Sequence, residues 1–134
     1  MLHKTIVLWA GLLVSAGSIP SGASYAQNGA PISARCVQLP AIDHTEVVGD
    51  RNILFYMKDN KIYQNALPHA CPGLRADQPF MYRVVLNQLC DSDVVTVLER
   101  WGFGYTPGQS CLLGEFTPID AAAADALKAA EKAP

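Results

Sequence analysis

Little in this chain could do chemistry, and what there is clusters around two histidines. Asp43-His44 sets a carboxylate beside an imidazole, the kind of pair that orients a general base. His69-Ala70-Cys71 places an imidazole two residues from a sulfur, and His44 could join it as a metal ligand. Asp91-Ser92-Asp93 brings two carboxylates into a turn, but a calcium loop of the familiar kind needs further oxygen ligands and a distal Glu at set positions. There is no Gly-x-Ser-x-Gly nucleophile turn, no Cys-x-x-Cys pair and no zinc spacing. No catalytic residue, metal or cofactor is therefore assigned. A small secreted enzyme or metal-binding protein using Asp43, His44 or His69 stands as the alternative to a binding role.

The strongest binding candidate is Trp101-Gly102-Phe103-Gly104-Tyr105, where rings alternate with glycines ahead of Pro107-Gly108. In a continuous strand, side chains two residues apart share a face, which would send Trp101, Phe103 and Tyr105 to one side. Exposed, they would form a flat platform for a glycan, a peptide or a protein surface. Turned inward, they would cap the open end of a barrel, which is the more economical reading.

These residues sit in a chain built for export. Ile6 to Val14 is apolar without interruption, Lys4 precedes it, and Ser24-Tyr25-Ala26 supplies small side chains where a signal peptidase cuts. Residues 1–26 read as a signal peptide, with the mature chain starting at Gln27. The apolar run falls well short of the ~20 residues of a spanning helix, so no membrane span is expected after the leader. No cysteine stands at the cut for lipid attachment. The protein is expected to be exported, to the periplasm or the medium.

The chain has 10 basic and 12 acidic residues, a net charge of −2. Its Lys and Arg are scattered singly among acids, so neither nucleic acid nor an anionic membrane is an expected partner. Cys36, Cys71, Cys90 and Cys111 form an even set in an exported chain, which reads as two disulfides. Cys71 and Cys90 flank a short central stretch while Cys36 and Cys111 lie near the ends of the folded region. That spacing favours a nested pairing, Cys71 with Cys90 and Cys36 with Cys111.

Residues 27–34 look flexible. Across 35–119, short runs rich in Val, Ile, Tyr and Phe alternate with turn residues, the pattern of an all-β domain: a small antiparallel barrel or sandwich of about six or seven strands. Ile53 to Met57 and Ile62 to Gln64 read as a hairpin with a two-residue Asp59-Asn60 turn, setting Met57 opposite Ile62 and Tyr56 opposite Tyr63. Two prolines and a glycine make 66–74 an ordered loop. Phe80 to Leu86, Asp93 to Arg100 and Ser110 to Phe116 read as strands, and Cys90 would tie the end of the first of these back to the loop. Residues 120–134 are Ala-rich, with Asp120 a fitting N-cap. They read as a short fraying helix or a disordered end, favoured over a partner-binding tail because Ile119 and Leu127 are its only large apolar residues.

Arg35-Cys36-Val37, Ile53-Leu54-Phe55, Tyr63-Gln64-Asn65-Ala66-Leu67, Cys71-Pro72-Gly73-Leu74, Leu89-Cys90, Asp93 and Ser110-Cys111-Leu112-Leu113-Gly114-Glu115-Phe116 together resemble a family of small exported bacterial proteins known only as a domain of unknown function. Cys-Pro-Gly-Leu and the Cys-x-Leu-Gly-x-Phe ending are the most specific parts. The resemblance implies a compact, cysteine-containing envelope domain and carries no catalytic residue. The expected role is thus that of a non-enzymatic envelope protein, with another envelope protein or a glycan as partner.

Overall fold

The computed structural model of the protein describes residues 32–134; the expected signal peptide, the expected start at Gln27 and residues 27–31 of the segment expected to be flexible lie outside the described residues. In chain order the elements are β1 (Cys36–Gln38), a 3₁₀ turn (Leu39–Ala41), β2 (Ile42–Val48), β3 (Asn52–Met57), β4 (Ile62–Ala66), β5 (Phe80–Tyr82), β6 (Gln88–Cys90), β7 (Val94–Trp101), β8 (Gly104–Leu112), β9 (Phe116–Ile119) and α1 (Ala121–Lys132). The fold is all-β with one C-terminal helix. Its strands form three antiparallel sheets, ordered β2-β3-β4-β9, β5-β7-β8 and β1-β6.

The organising strand is β3. Ile53, Leu54 and Phe55 are consecutive and wholly buried, which requires cover on both faces of the sheet. Ile53, Phe55 and Met57 enter a core shared by all three sheets, where they meet Val37, Leu89, Val95, Val97, Leu113 and Phe116. Phe55 and Phe116 pack edge to face with centroids 5.2 Å apart. Leu54 points the other way, into a second cluster with Val48 and Ala124, bordered by Tyr56, Ile62, Ile119 and Leu127.

That second cluster is why 121–132 is a helix and not a disordered tail. Asp120 caps it by accepting a hydrogen bond from the Ala123 amide at 2.8 Å. Ala124, too small to hold the backbones apart, is buried against β2 and β3, so a helix with few large apolar residues still finds a surface to cover. Lys128 adds polar ties across the sheet to Glu46 at 3.2 Å and to the Tyr56 hydroxyl at 3.3 Å.

Both disulfides correct the nested expectation: the bonds are Cys36–Cys90 and Cys71–Cys111. The physical reason is strand pairing. β6 runs antiparallel to β1 and places Cys90 directly opposite Cys36. Cys111 lies opposite Val95 on the core-facing side of β8, where Cys71 is buried. Proximity in sequence misled because Gln88–Cys90, too short to be recognised as a strand, carries the chain away from β5 to pair with β1. The two closed loops overlap, and each taken alone would restrict the unfolded chain by about 4 kcal/mol.

Three smaller differences have equally local causes. The β3–β4 register pairs Tyr56 with Ile62 and Phe55 with Tyr63, one residue from the expected alignment, because the turn spans Lys58 to Asn60. Met57 donates to the Lys61 carbonyl, Asn60 takes φ 66°, and the Asp59 carboxylate accepts from the Lys61 amide. The strand expected over Phe80–Leu86 stops at Tyr82, since Leu86 and Asn87 turn the chain with φ of 63° and 54°. Finally, the hairpin turn between β7 and β8 falls at Gly102-Phe103, inside the stretch whose three rings were expected to alternate at period two.

Candidate functional site

The aromatic stretch becomes the tip of the β7–β8 hairpin. Trp101 pairs with Gly104 and Arg100 with Tyr105 across the two strands. Paired residues share a face and neighbours alternate, so Trp101 and Tyr105 lie on opposite faces. This corrects the expectation of three rings on one side, and the reason is the turn: it reverses the chain between the first ring and the third. Gly102 adopts φ 59°, which lets the turn close in two residues.

The tip is also not a cap on the core. Trp101 is 77% exposed and Phe103 fully so, and among the described residues nothing lies within 4 Å of the space beside Gly102 or Gly104. Two large rings thus stand in solvent at the end of a narrow ribbon. Tyr105 is half exposed and engaged elsewhere: the Arg100 guanidinium sits 5.7 Å from its ring centroid and donates to its hydroxyl at 3.3 Å.

The Asp43-His44 pair forms as the sequence suggested. His44 Nδ1 and an Asp43 carboxylate oxygen are 2.8 Å apart, and the His44 ring stacks on Tyr56 at 4.4 Å with planes 6° apart. Tyr56 in turn donates to Glu46 at 3.1 Å. Lys128 completes the group, its pKa raised by the Tyr56 hydroxyl and by Glu46. Sequence reading missed Tyr56, Glu46 and Lys128, since their meeting depends on the β2–β3 register and on where α1 docks. The spacing of Asp125 and Lys128 on one helix face was the only visible signal. His69 stands exposed in the loop after β4. Among the described residues no three His, Cys, Asp or Glu side chains converge as a metal site would require.

Asp91 and Asp93 serve the fold. Arg35 reaches Asp91 at 3.0 Å and 3.4 Å, and Asp93 accepts from the Cys90 amide at 2.7 Å, fixing the turn after β6. The Arg35 pKa is raised by the same Asp91 contact.

A groove of ≈ 1310 Å³ runs beside the Glu46–Lys128 pair, bordered by β2, the 74–79 segment, β5, Tyr105 and the last turns of α1. Arg75 and Asp77 pair across its rim at 3.1 Å.

The motif residues behind the family resemblance have structural work. Cys71 and Cys111 form a disulfide, Gly73 takes φ 85°, and Leu74, Leu113 and Phe116 are core residues. Gly114 carries the chain from β8 into β9 so close to β4 that a Cβ there would overlap the Ala66 carbonyl oxygen. Buried Asn65 grips the same glycine, donating to its carbonyl at 2.7 Å and accepting from its amide at 2.8 Å. Compared with known proteins, the chain matches no family model, no curated protein and no solved structure. Two disulfides suit an oxidising, non-cytoplasmic environment, and among the described residues no helix is long and apolar enough to cross a membrane.

Proposed function

We propose that this is an exported, non-enzymatic envelope protein that binds a macromolecular partner, another envelope protein or a cell-wall glycan, through the tip of its β7–β8 hairpin. The observation that carries the reading is the exposure of Trp101 and Phe103 on a turn that no other segment among the described residues covers. Exposed rings of this size are held at a cost in hydration that a binding partner removes, and Trp is enriched where binding energy concentrates. The leader, the disulfides and the family resemblance all agree with an envelope address.

The test is photo-crosslinking from position 106, an exposed residue of β8 beside the tip, in the native envelope. The wild-type tip should capture a defined species, and Trp101→Ala with Phe103→Ser should lose the capture while leaving stability within about 0.5 kcal/mol, as expected of exposed positions. Unchanged capture by that variant, or a strongly blue-shifted and quencher-resistant Trp101 emission, would sink the proposal. The alternative, a small secreted enzyme or metal-binding protein using Asp43, His44 or His69, draws on the 2.8 Å Asp43–His44 contact. A turnover lost in His44→Ala, or a metal-dependent rise in melting temperature, would favour it.

A further inference from the structure

Among the strands that end their sheets without a partner on one side in the described residues, β2 of the four-stranded sheet and β5 of the three-stranded sheet both border the same groove. Thr45, Glu46, Val47 and Val48 all line it. Successive side chains of a strand point to opposite faces, so four consecutive residues can line one groove only if it follows the strand's edge. Along that edge every second residue turns its N–H and C=O outward. Among the described residues, no turn, loop or cap bond from the backbone reaches residues 43–48.

We infer that the groove binds an extended segment of another polypeptide, added as a further strand along β2. The ligand class follows from what the edge offers. Outward N–H and C=O groups recurring every two residues, roughly 7 Å, are complementary to a second extended backbone and to little else. Val47, Phe80 and Tyr82 add apolar surface, which selects apolar side chains at alternate positions of the guest. Charge contributes little, because Arg75 is paired with Asp77 and Lys128 with Glu46, and the remaining lining charges, Asp50, Glu131 and Lys132, leave the groove one charge short of neutral. A single chain fits better than the edge of a folded copy, because α1 and the 74–79 segment wall the trough beside β2. This inference goes beyond the hairpin-tip reading and does not depend on Trp101 or Phe103.

The experiment pans a phage-displayed library of random linear peptides against the folded, disulfide-bonded chain and resynthesises the best binder with one N-methyl amide at each position in turn. Enriched sequences should alternate apolar and polar residues. N-methylation should weaken binding by about tenfold at every second position and little between them, the loss expected for one main-chain hydrogen bond. Saturating peptide should slow amide exchange within residues 43–48, and affinity should change little with added salt. The Trp101→Ala, Phe103→Ser variant should bind the same peptide equally, which separates failure here from failure of the tip. Failure to enrich any peptide, N-methylation tolerated at every position, or exchange at 43–48 unaffected by peptide would each overturn the inference. Protection of 43–48 that rises with protein concentration alone would overturn it in favour of a second copy of this chain.

Discussion

Two of the hairpins, β3–β4 and β7–β8, have tips that are made in opposite ways. At the β3–β4 turn every residue is polar and the turn closes on itself: Asp59 accepts from the Lys61 amide, its carboxylate pairs with Lys61 Nζ at 2.9 Å, and Asn60 supplies the left-handed position. At the β7–β8 turn the left-handed position is Gly102, and the side chains displayed are Trp101 and Phe103. The strands behind the tips differ too. β3 is buried on both faces, whereas β7 buries Val95 and Val97 but leaves Val94 exposed. A turn that satisfies itself needs nothing from outside, while one that displays two rings gains nothing within the fold. The contrast is what supports the proposal of the second tip as the binding site.

What ties the second hairpin down is the first thing to break. Replacing Cys71 and Cys111 together by Ala should cost about 4 kcal/mol, the chain-entropy term for a loop of this length. Chemical denaturation followed at Trp101 and by far-ultraviolet circular dichroism measures it. Because Cys111 lies on the core-facing side of β8 and the tip lies at the hairpin's far end, the native emission of Trp101 should stay that of a solvent-exposed indole. A shift on removing the bond would mean that the tip depends on the staple, and the contrast between the hairpins would weaken.

How much of this was legible before the structure follows the same divide. The self-contained features were readable: the apolar run of β3, the turn residues after Met57 and the Asp120 cap are written in adjacent residues. The disulfide partners were not, because they depend on β1–β6 pairing between elements of three residues each, too short to show a period. The split between Trp101 and Tyr105 was hidden for a related reason. An alternating ring-glycine pattern looks the same whether the chain continues or reverses at Gly102, and only the pairing with β7 decides. The groove required α1, β2 and β5 to be placed together, and no local pattern encodes that.

The seam between the hairpins gives the next effect. Asn65 on β4 and Gly114 at the exit of β8 form a reciprocal pair of hydrogen bonds in the core. Asn65→Ala should cost about 1–3 kcal/mol, because it leaves the half-buried Gly114 amide and carbonyl without these partners. The loss should appear as faster amide exchange at residues 113–116, with the β3–β4 turn keeping its own protection. Uniform acceleration through both hairpins would show that they unfold as one unit, contrary to the comparison.

The smallest effect tests whether the polar tip closes on itself as described. The Asp59 pKa is lowered, first by the Lys61 ammonium and then by the Lys61 amide. A folded-state pKa below the unfolded one contributes stability that is present above the ordinary carboxylate value of about 3.9 and is lost as pH falls through the folded value. Asp59 is solvent-exposed, so the effect is local and is read by nuclear magnetic resonance titration of its carboxyl carbon instead of by melting. The expected result is a midpoint below the ordinary value that moves part of the way back in Lys61→Met. The move is partial because that variant removes the ammonium and keeps the amide donor. A midpoint indifferent to Lys61→Met would mean that the ion pair does not act in solution. The turn would then rest on its backbone bonds and on Asn60 alone, still closed within itself and still unlike the tip that presents Trp101 and Phe103.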